Sequence, residues 1–90
     1  YSASKAALGM VTKYLAVYFG KKGFNVNAIV PGGVENGQPE EFIEAYSKLT
    51  PMGRMAKVDE FLEVVTLLCG SGSDYMNGQL IAVDGGWTVW

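Results

Sequence analysis

A phenol and an ammonium stand four residues apart at Tyr1 and Lys5. On a helix, positions i and i+4 share one face. A free tyrosine keeps its proton up to a pH of about 10, and a neighbouring ammonium favours the phenolate. A tyrosine tuned in this way can give a proton to a carbonyl oxygen or take one from an alcohol. The lysine also has donors enough to hold a sugar hydroxyl. The chain supplies its own comparison, because Tyr18 and Lys22 have the same spacing. Spacing alone reads either pair as structural, an aromatic beside a solvated lysine. Context has to separate them.

Much other chemistry is excluded by composition. The chain has no histidine, so Ser-His, Cys-His and His–metal arrangements are ruled out within it. Acid–base work falls to Tyr, Lys, Asp or Glu. Cys69 is the one cysteine; it forms no internal disulfide, which favours a reducing compartment, and a cytoplasmic location is the expectation. A net charge of −2 argues against a nucleic-acid partner, since such proteins show a basic face. No apolar run approaches the roughly 18 residues of a membrane span, so no membrane partner is expected. Glu40, Glu41 and Glu44 could suggest a metal, but nothing else in the chain completes a site and a solvated helix face explains them better. Gly70-Ser71-Gly72-Ser73 lacks the Gly-Lys-Ser/Thr of a phosphate cradle and reads as a connector.

These residues need elements to carry them. Ala7, Leu8, Val11, Tyr14, Leu15 and Tyr18 recur at three- and four-residue spacing, which predicts a helix from Ser2 to Phe19 with one apolar stripe. Its first turns are small (Ser2, Ala3, Ser4, Ala6, Ala7, Gly9) and permit close approach of another element or a ligand. Gly20 and Gly23, around Lys21 and Lys22, predict its end. Phe24 to Val30 alternates as a strand, closed by Pro31-Gly32-Gly33. Asn36 to Pro39 reads as loop. Glu40 to Leu49 reads as a second helix with Phe42, Ile43, Tyr46 and Leu49 inside, broken by Thr50-Pro51-Met52-Gly53. Val58 to Cys69 reads as a third helix, with Asp59 and Glu60 where the dipole favours acids. Gly70 to Asn77 reads as loop, and Gln79 to Asp84 as a second strand ended by Gly85-Gly86.

The predicted order is helix, strand, helices, strand, and a strand–helix–strand unit normally makes parallel strands. Parallel sheets are buried on both faces and seldom small. A composition 49% hydrophobic and 18% charged is that of a globular protein. Yet a chain of this length buries only roughly 60–65% of its unfolded surface. Two strands under one helical layer leave a face and an edge open. The pattern is that of the end of a larger α/β sheet.

Four segments carry a resemblance. Tyr1-Ser2-Ala3-Ser4-Lys5-Ala6-Ala7 resembles the active-site segment of the short-chain dehydrogenase/reductase family. Asn27-Ala28-Ile29-Val30-Pro31-Gly32-Gly33-Val34 resembles its strand and turn beside the nicotinamide. Pro51-Met52-Gly53-Arg54 resembles the segment after its substrate loop, and Gly78-Gln79 with Val83-Asp84-Gly85-Gly86-Trp87 its last strand and C-terminal turn. The segments come in the family's order and together cover nearly the whole chain.

The resemblance implies an α/β fold, the C-terminal portion of a doubly wound parallel-sheet Rossmann domain. It implies NAD or NADP as cofactor and a small-molecule carbonyl or alcohol as substrate. Tyr1 would be the catalytic acid/base, and Lys5 would support it and bond the nicotinamide ribose. Pro31, Gly32 and Val34 would lie against the nicotinamide, the backbone of Val34 bonding its carboxamide. A strand end is where a ligand crevice is expected in such sheets, although Pro31-Gly32-Gly33 is also an ordinary turn. Many relatives carry a threonine two residues beyond the valine; Asn36 stands there, with an amide in place of the hydroxyl. Glu35 to Met52 would form the substrate-covering region. There Gln38, Phe42 and Tyr46 could face substrate, packing being the commoner job for the two aromatics. Arg54 would anchor an ion pair or a subunit contact. The apolar tail Trp87 to Trp90 would pack in a homodimer or homotetramer.

The family's Gly-rich dinucleotide loop, its NAD/NADP-selecting residue, its polarising serine and its relay asparagine all precede its tyrosine. The expectation is therefore that residues 1–90 are the C-terminal part of a single Rossmann domain, with the dinucleotide-binding half outside this chain. The parent would be an oxidoreductase and the isolated 90-mer inactive. The alternative is a non-catalytic packing or oligomerisation module. For substrate, Gly33-Val34-Glu35-Asn36-Gly37-Gln38 and the following helix resemble members acting on bacterial surface sugars, and carrier-bound 3-oxoacyl reductases share the general motifs equally.

Overall fold

The computed structural model describes residues 1–90. Its elements are α1 (Ser2–Gly20), β1 (Ala28–Pro31), α2 (Glu40–Leu49), α3 (Leu62–Cys69) and β2 (Leu80–Val83), with 3-10 turns at Val58–Phe61, Ser71–Ser73 and Trp87–Val89. β1 and β2 form a two-stranded sheet. The Ala28 N–H donates to the Gln79 carbonyl and the Gly32 N–H to the Val83 carbonyl. From 28 to 32 and from 79 to 83 the strands advance together, so they are parallel, as the element order predicts. The chain divides into two compact units, Tyr1–Ile29 with Thr66–Ile81 and Val30–Val65 with Ala82–Trp90. No helix is long and apolar enough to cross a membrane.

In the first unit the buried face of α1 is not the large apolar stripe. Thr12 and Ala16 are its buried residues. A side chain on Gly9 would meet Leu80 Cδ1 at 3.1 Å, and one on Gly78 would meet Ala16 Cβ at 3.3 Å. Asn77 Nδ2 donates to the Ala16 carbonyl at 3.0 Å. The small residues thus bring the helix backbone close to the segment entering β2. Leu8 (54% exposed), Val11, Tyr14 (67%) and Tyr18 stand outside. The predicted stop holds: the Lys22 N–H donates to the Phe19 carbonyl at 2.9 Å, and Gly23 takes a φ of 84°.

The first strand begins four residues later than its alternation predicts, at Ala28 rather than Phe24. Side chains have taken the bonds a ladder would need. The Val26 N–H donates to Asn77 Oδ1 at 2.8 Å. Asn25 Nδ2 donates to the carbonyls of Ser73 and Asp74, and Asn27 Nδ2 to that of Met76, each at 3.0 Å. Asparagine amides mimic backbone groups, which is why they favour turns over strands.

In the second unit Ile43 and Tyr46 of α2 are half-buried, while Phe42 and Leu49 are exposed despite their place in the pattern. Outside, Glu44 and Lys48 pair at 3.0 Å. Met55, 2% exposed, is the unit's buried apolar side chain. The predicted third helix opens as a 3-10 turn and becomes α-helical only from Leu62. Glu60 fastens that turn, since its Oε2 accepts the Lys57 N–H at 2.8 Å. The second strand stops at Val83 because the Asp84 carboxylate serves the turn that follows. It accepts the Gly86 N–H at 2.9 Å, and the Thr88 N–H and hydroxyl at 3.1 and 2.7 Å.

Candidate functional site

Tyr1 and Lys5 belong to the first unit, and Pro31, Gly32, Val34 and Asn36 to the second. Each group is built within its own unit.

Tyr1 immediately precedes Ser2, the first residue of α1. Its carbonyl accepts the Lys5 N–H at 3.0 Å and the Ser4 hydroxyl at 2.7 Å. Its side chain is 94% exposed. Lys5 Nζ lies 5.7 Å from the centre of the Tyr1 ring. The arrangement places an ammonium beside the phenol. The comparison pair is closer, Lys22 Nζ being 4.5 Å from the Tyr18 ring centre. Distance therefore does not favour the first pair.

Pro31 ends β1 and is exposed. The Gly32 N–H continues the ladder to Val83 at 3.0 Å. A Cβ on Gly32 would lie 2.7 Å from Asp84 Cα, so only glycine fits that approach. A Cβ on Gly33 would lie 2.4 Å from Cζ of the Tyr46 ring. Both glycines are thus required by packing within the unit. Val34 makes an isolated parallel bridge with Ala56. In that bridge the Glu35 N–H donates to the Ala56 carbonyl at 2.9 Å and the Ala56 N–H to the Gly33 carbonyl at 2.8 Å. The N–H and carbonyl of Val34 itself are therefore turned away from Ala56. The carbonyl accepts Gln38 Nε2 at 2.8 Å. The Val34 N–H makes no hydrogen bond within the chain.

Asn36 enters through its backbone, its N–H donating to Gln38 Oε1 at 2.7 Å. Gln38, expected as a substrate-facing residue, spends its amide holding the loop from Val34 to Asn36. Arg54 makes the ion pair expected of it: its Nη1 and Nη2 reach the two Glu60 oxygens at 2.7 and 2.6 Å, and Nη1 also donates to the Met55 carbonyl. This fork lowers the Glu60 carboxyl to a pKa of about 2, helped by the Lys57 N–H, and raises that of the guanidinium. The Thr88 hydroxyl first, then the Gly86 N–H, hold Asp84 below the usual carboxylate range. A cavity of about 150 Å³ opens among Tyr46, Met52, Arg54, Glu60 and Asp84.

Tyr46 does what its sequence pattern did not announce. Its hydroxyl accepts the Gly33 N–H at 2.6 Å. Its ring stacks on Trp87 with centres 4.3 Å apart and planes 10° from parallel. The Trp87 tail, expected at a subunit interface, is engaged in this way within the unit. Gly33 has no positive φ, so its closeness to this ring and not its backbone conformation explains the glycine.

Comparison with known proteins agrees with the four segments. A protein-family model described as Enoyl-(Acyl carrier protein) reductase matches residues 1–88. A tropinone reductase homolog of Arabidopsis thaliana is 37% identical over 99% of this chain and 35% of its own length. Among solved structures, a short chain dehydrogenase of Leptospira borgpetersenii with bound NAD+ superposes with a TM-score of 0.94 at 41% identity, over 98% of this chain and 35% of that one. An Agrobacterium tumefaciens protein provisionally assigned as a 2-deoxy-D-gluconate 3-dehydrogenase, with bound NADP, gives 0.89 at 32% identity, over 100% of this chain and 39% of that one. The chain spans about a third of the length of these relatives. With the family match running from Tyr1 through the Asp84 turn, and the parallel α/β arrangement shared with the solved relatives, the chain belongs to the short-chain dehydrogenase/reductase family.

Proposed function

We propose that this chain is the C-terminal part of a single Rossmann domain in an NAD- or NADP-dependent oxidoreductase that interconverts a carbonyl and an alcohol on a small molecule. The observation that carries the reading is the family match over residues 1–88, which takes in Tyr1, Lys5 and the Pro31–Asn36 segment together. Bound relatives of both kinds, with NAD+ and with NADP, support the choice of cofactor.

In this reading Tyr1 donates its phenolic proton to the carbonyl oxygen as the alcohol forms, and takes it back in the reverse direction. Lys5 stabilises the phenolate left behind and offers its ammonium to the ribose hydroxyls. The nicotinamide, when bound, supplies or accepts the hydride. Pro31, Gly32, Val34 and Asn36 are the residues that would hold it. The fit is best at Val34, whose N–H is unused by the chain while its carbonyl is taken by Gln38. An amide donor turned outward matches the carbonyl oxygen of a carboxamide. The parent acts as a homodimer or homotetramer in the cytoplasm.

The test uses the full-length protein. NADH and NADPH binding is followed by fluorescence, and turnover is measured on a panel containing sugar-derived and 3-oxoacyl substrates. Tyr1→Phe removes most turnover and leaves cofactor binding nearly intact; Lys5→Ala weakens both. Turnover retained in Tyr1→Phe refutes the acid/base assignment.

A further inference from the structure

The geometry points to Tyr46 as a positioning residue that sets the orientation of the Val34 N–H through the peptide of Gly33, an inference that rests on the proposed role of Val34 toward the nicotinamide carboxamide. Gly33 is held on both sides. The Gly33–Val34 peptide is fixed by Ala56, whose N–H meets the Gly33 carbonyl at 2.8 Å. The Val34 N–H is the opposite end of that same planar peptide, so it points away from Ala56. The preceding Gly32–Gly33 peptide is fixed by Tyr46, whose hydroxyl accepts the Gly33 N–H at 2.6 Å. With both planes held, neither soft dihedral of Gly33 is left to drift.

Tyr46 is itself immobilised. Trp87 stacks flat on one face of its ring, and Phe42 lies 6.3 Å away at 28°. The Thr50 hydroxyl donates to the Tyr46 carbonyl at 3.0 Å. Trp90 Nε1 donates to the Leu49 carbonyl at 3.2 Å, so the terminal segment grips the end of α2. The Tyr46 ring also occupies the space a Gly33 side chain would need. Glycine at 33 and tyrosine at 46 are one device. It ties the turn after β1 to the same helix that carries the substrate-covering region.

The experiment compares wild type with Tyr46→Phe in the full-length protein. Phenylalanine keeps the stack on Trp87 and removes only the hydroxyl. In the cofactor-free protein, Gly33 amide exchange accelerates about tenfold or more, the effect of losing one hydrogen bond. NADH or NADPH affinity falls about tenfold, while kcat at saturating cofactor stays within twofold. Trp87→Leu, which frees the ring but keeps the hydroxyl, moves both readouts the same way by less. A lowered thermal midpoint with unchanged cofactor affinity means a purely structural tyrosine and overturns the inference, as does an unchanged Gly33 exchange rate. Failure of the underlying reading is seen separately, in a wild-type protein that binds neither cofactor.

Discussion

Replacing Gly32 with alanine places a methyl group 2.7 Å from Asp84 Cα, 3.0 Å from its Cβ and 3.2 Å from its carbonyl carbon. Carbon atoms rest comfortably at about 3.5–4.0 Å, so β1 and the end of β2 must part by close to 1 Å. The neighbour is backbone at the end of a paired strand, tied into the turn that follows, and has no rotamer to yield. Overpacking of this kind costs about 1–3 kcal/mol. The parting also stretches the 3.0 Å bond from the Gly32 N–H to Val83, which is worth about 1 kcal/mol. Against this, Gly32 has no positive φ, so alanine restricts the unfolded chain and returns about 0.4–1 kcal/mol. The net is a loss of about 1–3 kcal/mol, or about 2–12 °C in Tm for a domain of roughly 150–250 residues. Thermal and urea unfolding of the full-length protein, followed by circular dichroism, measure it. A Gly32→Ala variant as stable as wild type refutes the argument, because it means the methyl group finds room beside Asp84.

Three other outcomes follow from the same geometry. Tyr1→Phe lowers turnover of the full-length protein by about 10²- to 10⁴-fold, the usual contribution of a general acid–base group, whereas Tyr18→Phe stays within twofold; equal losses in steady-state assays would erase the distinction between the pairs. The Glu60 carboxyl is held at about 2, below its ordinary 4.5, so its contribution to stability is present above pH 4.5 and disappears as pH falls toward 2. The Tm difference between wild type and Glu60→Gln therefore narrows across that window, and above pH 4.5 it shrinks when salt is added, because the pair is exposed. Ala16→Leu, at a position 4% exposed and close against Gly78, costs about 1–3 kcal/mol by overpacking, read from the urea midpoint.

The order of elements and the parallel pairing were legible because helix periodicity, Gly stops and the Pro-Gly-Gly turn are local signals. The packed face of α1 was not. Hydropathy ranks Leu8, Val11 and Tyr14 above Gly9, Thr12 and Ala16, yet Thr12 and Ala16 are the buried residues and Gly9 and Ala16 lie against β2 and the segment entering it, since close approach of two backbones depends on the size of side chains and not on their apolarity. Gly9, Thr12, Ala16 and Gly20 recur at three- and four-residue spacing, a pattern visible to a reading by volume. The start of β1 departs from the alternation for another reason. Alternation counts Phe24 and Val26, but Asn25, Asn27 and Asn77 hold that stretch by side-chain bonds to residues about fifty positions away. Helix periodicity puts Tyr46 on the inner face of α2, where it is half-buried; the target of its hydroxyl, thirteen residues earlier, depends on tertiary closure that no local pattern encodes.

The same contrast decides which features argue for function. A Tyr-Lys spacing does not, because Tyr18 and Lys22 share it and lie closer. The two glycines of the turn do not, because Asp84 and Tyr46 already forbid side chains there. Arg54 does not, because Glu60 uses both arms of its guanidinium. Val34 is different. A bridge to Ala56 needs only the Gly33 carbonyl and the Glu35 N–H, and the loop needs only the Val34 carbonyl, for Gln38. Packing accounts for the valine and for its carbonyl, and leaves over a directed donor at the end of a parallel strand, where α/β sheets bind ligands. Tyr46 and Ala56 hold that donor in place from two sides at the cost of a glycine at 33. Fixing both dihedrals of Gly33 is what the proposed contact with a ligand at a set angle would require.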